Sequence, residues 1–142
     1  MAAGTVKTNA GKALSTGLLS AQAGLVIPNY MGVGSGTTTP TNADTILQTE
    51  PPAGWTTGYA RVSCAPTQGT TPSPPGPPPG NVPNDTLQWQ ATFIANAAIT
   101  INEVGIFNAS SAGTLYIRSV FTTGYAMVAQ DQLIITVTEQ QT

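Results

Sequence analysis

Eight of the twelve prolines in this chain of 142 residues fall within residues 66–83 (PTQGTTPSPPGPPPGNVP). Proline has no backbone N–H and a fixed φ, so this stretch is expected to stay out of a sheet interior and to have polyproline II character. It separates two segments that read as strands, 59–65 (YARVSCA) and 86–94 (TLQWQATFI). In the second, Leu87, Trp89, Ala91 and Phe93 alternate with Gln88, Gln90 and Thr92. That period of two is the pattern of an antiparallel strand buried on one face. The prolines are therefore expected as an insert at a hairpin tip, and such inserts can also be ligands for aromatic-lined grooves.

Four more segments read as strands: 25–33 (LVIPNYMGV, with Pro28 limiting it to an edge or a bulge), 99–107 (ITINEVGIF), 114–121 (TLYIRSVF) and 132–138 (QLIITVT). Residues 108–113 (NASSAG) have the composition of a turn. Ala10, Ala13, Leu14, Gly17, Leu18 and Ala21 recur at helical spacing, with Asn9 as a cap and Gly24 as a stop. Thr41-Asn42-Ala43-Asp44 has the form of a capping box, and a second short helix is expected through Ile46, Leu47 and Gln48, ending before Pro51 and Pro52. The sum is an all-β chain, a single antiparallel β-sandwich or barrel-like domain of about six strands with one or two short helices. Residues 1–24 are expected as an N-terminal arm with a short helix, and 25–142 as the β-domain carrying the proline-rich loop 66–83.

Chemistry is constrained by what is missing. The sequence has no His, one Cys (Cys64), and four basic against six acidic residues, for a net charge of −2. Without His the usual general base and the commonest zinc ligand are absent, and one thiol cannot close a disulfide within the chain. The glycine-rich run Gly32-Val33-Gly34-Ser35-Gly36 lacks the Gly-Lys-Ser/Thr ending of a phosphate-binding loop and reads as a tight loop leaving a strand. No catalytic, metal or cofactor site is expected, and the chain reads as a non-enzyme. The charge excludes a basic field for nucleic acid, and no apolar run is long enough to cross a membrane or act as a secretion signal. Charged residues make up 7% of the chain, against about 25% in an average domain. A neutral surface built from residues such as the 23 threonines suits burial against other proteins, because covering an ion costs its hydration.

Glu103 sits inside an apolar run, and Glu50 at the end of the expected second helix, on the wrong side of the helix dipole. Each is expected to form a structural ion pair with Arg61 or Arg118. Partner contacts are expected from the arm, through Lys7 and Lys12, and from the insert, through Pro72, Pro74, Pro75, Pro77, Pro78 and Pro79. Trp55, Trp89 and Tyr59 leave open a glycan-binding module of an extracellular β-protein, although aromatic residues serve the core more often.

Three blocks of sequence occur in a suggestive order. Tyr30-Met31-Gly32-Val33-Gly34-Ser35-Gly36-Thr37-Thr38 with Pro40 comes first; Asp44-Thr45-Ile46-Leu47 with Glu50 and Arg61 follows; Ile101-Asn102-Glu103-Val104-Gly105-Ile106-Phe107-Asn108 with Gly113-Thr114-Leu115-Tyr116-Ile117-Arg118 is the third. Together they resemble small tailed-bacteriophage virion proteins with a "GxGxTxP" loop, a "DTxLxxE…R" helix and strand, and an "ITExGLFNAxxGGTLxxR" hairpin. Asn102 and Ile106 depart mildly from that pattern, and the proline-rich insert more strongly. The pattern occurs in capsid decoration (cement) proteins and in the N-terminal domains of tail and collar fibres. The resemblance implies a structural virion protein without a cofactor. The first expectation is a cement homotrimer on the major capsid protein at the outer head surface, since the sequence stops at Thr142, soon after the last expected strand. A tail, collar or baseplate fibre-attachment protein is the alternative.

Overall fold

The alternation over residues 86–94 continues into a strand at the centre of the smaller of two sheets. The computed structural model describes residues 4–51, 61–71 and 82–140. Along the chain come β1 (Gly4–Lys7), α1 (Asn9–Leu19), β2 (Tyr30–Gly34), β3 (Arg61–Ser63), β4 (Thr67–Thr71), β5 (Val82–Ile94), β6 (Ile99–Phe107), β7 (Leu115–Met127) and β8 (Gln132–Gln140). One sheet has the order β1-β7-β6-β2-β3 and the other β4-β5-β8, with every pair antiparallel. The protein is an all-β sandwich.

The core lies between the sheets. Trp89, Ala91 and Phe93 of β5, with Ile135 and Val137 of β8, pack in one cluster with Met31, Val33, Val104, Ile106 and Ile117 from the larger sheet. Each of the Val, Ile, Phe and Met side chains among these, when buried, stabilises the fold by about 1.5–3 kcal/mol before entropy is counted. The Trp89 indole N–H, buried with its ring, donates to the Pro28 carbonyl at 2.7 Å, so the largest core residue leaves no unmet donor. Helix α1 places Leu14 in the same core.

Two strands go beyond the sequence reading. The four residues of β1 are too few to show a period, and they are a strand because β7 offers its edge, with Val6 opposite Arg118. Residues 4–19 of the expected arm thus form β1 and α1, both laid on the sandwich. Strand β4 corrects the view that 66–83 stays out of the sheet. Residues 67–71 (TQGTT) contain no proline, keep their N–H groups, and pair with β5 as far as Thr71 opposite Val82. Pro72, Pro74, Pro75, Pro77, Pro78 and Pro79 lie outside the described residues.

Helix content differs too. The α1 cap is Thr8, not Asn9: its hydroxyl accepts from the Gly11 amide at 2.8 Å and donates to the Leu115 carbonyl. The helix ends at Leu19, before Gly24, and Ala21 turns the chain with φ 53°. Residues 41–48 form no helix. The Thr41 amide does reach the Asp44 carboxylate at 2.9 Å, as in a capping box. However, the Thr41 hydroxyl also donates to Asp44, and the amides of Gln48 and Thr49 go elsewhere than a helical carbonyl.

Candidate functional site

Strand register sets up the most distinctive part of the molecule. Arg118 on β7 lies opposite Gly105 on β6, Gly105 opposite Gly32 on β2, and Gly32 opposite Arg61 on β3. Two arginines therefore flank two glycines across four neighbouring strands. The missing side chains leave a trough, and Leu47, Phe107 and Leu115 pack into a second small core there, with Tyr30 against it. A Cβ added at Gly105 would lie 2.8 Å from Leu47 Cδ2 and 2.9 Å from Leu115 Cδ1, closer than real contacts allow.

Glu103, fully buried, fastens loop 35–51 to this trough. Its Oε1 accepts from the amides of Thr49 at 2.8 Å and Gly36 at 3.2 Å. Its Oε2 accepts from the Gln48 amide at 3.0 Å and from Arg118 Nε at 2.9 Å and Nη2 at 2.8 Å. Arg118 also holds Asp44 Oδ2 at 2.8 Å and the Thr38 hydroxyl at 3.1 Å. A buried carboxylate is tolerated when charge and hydrogen bonds replace its water, and here both are supplied. The glycine-rich run has its explanation in the same place. A Cβ at Gly36 would come 2.5 Å from Glu103 Oε1, and one at Gly34 would meet the same oxygen and the Thr49 carbonyl.

Burial tends to raise the Asp44 carboxyl, but the Thr41 amide and the Arg118 guanidinium outweigh it and hold it below the usual carboxylate range. Burial likewise works against the Arg118 charge, and Asp44 and Glu103 more than restore it. The second arginine repeats the scheme. Arg61 clasps Glu50 with Nε at 2.7 Å and Nη2 at 3.1 Å, and its Nη1 donates to the carbonyls of Ala109 and Ala112 in the β6–β7 turn. Its guanidinium stacks 3.4 Å from the Phe107 ring centroid. Of the pairings open in the sequence, the structure has Glu50 with Arg61 and Glu103 with Arg118.

A third network closes the gap between the sheets. Lys7 on β1 meets Glu139 on β8 at 2.8 Å and sits 4.6 Å from the Tyr116 ring centroid, while the Tyr116 hydroxyl donates to Glu139 at 2.7 Å. Burial opposes the Lys7 charge, and the bonds to Glu139 and Tyr116 raise its pKa above the ordinary value. Lys7, expected as a partner contact, is thus engaged within the chain. Lys12 makes no ion pair among the described residues, and Asp131 caps a turn by accepting from the Val128 amide.

Chemically, these acids are held as structural ions. Glu103 receives five donor contacts, which leaves no lone pair facing a substrate. The Cys64 thiol is pushed up by burial to about 11, so it is a poor nucleophile at neutral pH. Trp89 is fully buried in the core, and Trp55 and Tyr59 lie outside the described residues. Sequence reasoning missed Asp44 as the second partner of Arg118, and the Lys7–Glu139–Tyr116 network. No local signal points to the first, since the "DTxLxxE…R" spacing leads from Asp44 to Arg61 and Arg118 lies 74 positions away, and the second brings Lys7 to Glu139, 132 positions on.

A protein-family model described as Podophage GP4 fiber I protein gp80 matches residues 7–142 of this chain. No curated protein and no solved structure is significantly similar to it.

Proposed function

The chain belongs to the family of the podophage GP4 fiber I protein gp80, and from that premise we propose that it is a fibre component, joining a fibre to the tail, collar or baseplate. A phage structural protein of the virion is what the family match gives. The fibre assignment, in place of capsid cement, follows the family's own description, and that match over residues 7–142 is the observation that carries it.

The physical character of the molecule supports an assembly role rather than catalysis. Most of its described charges are paired within the chain, Glu103 and Glu50 to hold loops and Glu139 to join the two sheets, so much of its outer surface can meet other virion proteins without stripping ions of water. Its partners in this reading are neighbouring fibre or tail proteins and further copies of itself.

Virions labelled with a gold-tagged antibody to the chain test the reading. Label at the tail or its fibres, together with filled heads that lack fibres and adsorb poorly when the gene is deleted, is the expected result. Label spread over the head surface, with heads that burst more easily in the deletion, would overturn it and put the cement role in its place.

A further inference from the structure

A groove of about 220 Å³ runs beside α1, walled by Leu18, Leu19, Ile27, Pro28, Pro66 and Leu87. Among the described residues, none that lines it is charged. Leu19 is 89% exposed and Ile27 48%, with Val26 beside them at 49%, which is unusual company on a surface otherwise rich in Thr and Gln. Small-molecule pockets usually measure about 300–1,000 Å³ and enclose their ligand, so this shallower site suits a strip of chain.

The chain carries a strip of matching chemistry. Residues 72–79 (PSPPGPPP) hold six prolines and no charge. Pyrrolidine rings are apolar, and their fixed φ reduces the entropy lost on docking, which is why proline-rich segments recur as groove ligands. The hairpin geometry says whose strip it is. Pro66 and Leu87 stand at the base of the β4–β5 hairpin, at the groove, while the last ladder pair, Thr71 with Val82, lies four residues beyond Thr67. At about 3.3 Å per residue the ladder puts Thr71 and Val82 roughly 13 Å from the groove, too far for a strip tethered between them to lie lengthwise in its own groove. We propose that residues 72–79 of one copy dock in the α1 groove of the next. Such a contact is heterologous, tip to groove, and generates a ring if the rotation closes or a string if it does not. It does not depend on where in the virion the protein sits.

Two full-length variants test this by sedimentation velocity, with circular dichroism to confirm that each is folded. One carries Leu19→Asp and Ile27→Asp in the groove, and the other replaces 72–79 by eight Gly and Ser residues. The unaltered protein is expected to assemble with rising concentration, each variant alone to stay monomeric, and an equimolar mixture to form a dimer and nothing larger. The dimer follows because the first variant keeps its tip and the second its groove. Assembly that survives in both variants, or a mixture that stays monomeric while the unaltered protein assembles, overturns the proposal. So does an unaltered protein that is monomeric at hundreds of micromolar, the result expected if the groove is covered by its own chain or by a different virion protein.

Discussion

Loop 35–51 and the β5–β8 ladder both keep a long stretch of backbone in one conformation, and they do so with different materials. The ladder pairs nine successive residues, from Thr86 opposite Gln140 to Ile94 opposite Gln132, so the backbone groups that the two strands turn toward each other are satisfied in the ladder. Its side chains then need to do no more than bury one face. The loop has no helix or strand. Its amides at Gly36, Gln48 and Thr49 bond the Glu103 carboxylate, and those at Thr37 and Thr38 bond the Gln48 side chain. In a chain with so few ions, charge is concentrated where the backbone lacks a ladder.

The sharpest way to break the comparison is Arg118→Met. It leaves the Glu103 carboxylate buried without its counter-ion and releases Asp44 and Thr38 together. Removing one partner of a buried pair costs about 3–5 kcal/mol. Urea denaturation should show a loss in that range, and the Gln48 and Thr49 amides should lose hydrogen-exchange protection first. Arg118→Lys should recover little, because a single ammonium cannot reach both carboxylates in the planar geometry of the guanidinium. A loss below about 1 kcal/mol would mean that the backbone amides alone hold Glu103.

The same contrast separates what could be read in the sequence from what could not. Residues 99–107 and 86–94 are legible because a ladder strand advertises itself locally, by alternation and by turn residues at its ends. The trough is half legible. An acid inside an apolar run demands an arginine, and with two arginines in the body of the chain the options were few, yet nothing local tells Arg61 from Arg118. The register that places both beside Gly32 and Gly105 decides it. Residues 41–48 misled because a capping box scores a local bond, whereas the bonds made by Gln48 and Thr49 lie 55 and 54 positions away in sequence. Strand β1 was invisible for a related reason: its partner edge on β7 is supplied more than a hundred residues later.

Acid offers a graded version of the first test. Because the Asp44 carboxyl is held below its ordinary value, its contribution is present above the unfolded pKa of about 3.9 and is lost as pH falls through the lower folded value. Asp44→Asn should cost about 1 kcal/mol at pH 6, a modest figure because the carboxylate is partly open to water. The difference between the variant and the unaltered protein should shrink below pH 4 in parallel urea titrations. A difference that stays constant down to pH 2 would assign the effect to the shape of the 41–44 turn and not to the charge.

The smallest effect is expected on the outer face of the ladder, and it is informative for being small. Gln90, Thr92, Thr136 and Thr138 are exposed there, and the Gln90 amide donates to the Thr136 hydroxyl at 3.1 Å. If the ladder is held by its backbone pairs and by the inward row of Trp89, Ala91, Phe93, Ile135 and Val137, then Thr136→Val removes one solvent-exposed bond and keeps the β-branched shape. Its cost should stay within about 0.5 kcal/mol, with a urea midpoint close to that of the unaltered protein. Salt should change the Thr136→Val value little, since no ion among the described residues lies on this face, and the Arg118–Glu103 pair beneath the loop is buried beyond effective screening. A loss above 1 kcal/mol from Thr136→Val would show that the exposed threonines carry stability of their own, and the division between a charge-held loop and a ladder-held sheet would then be drawn in the wrong place.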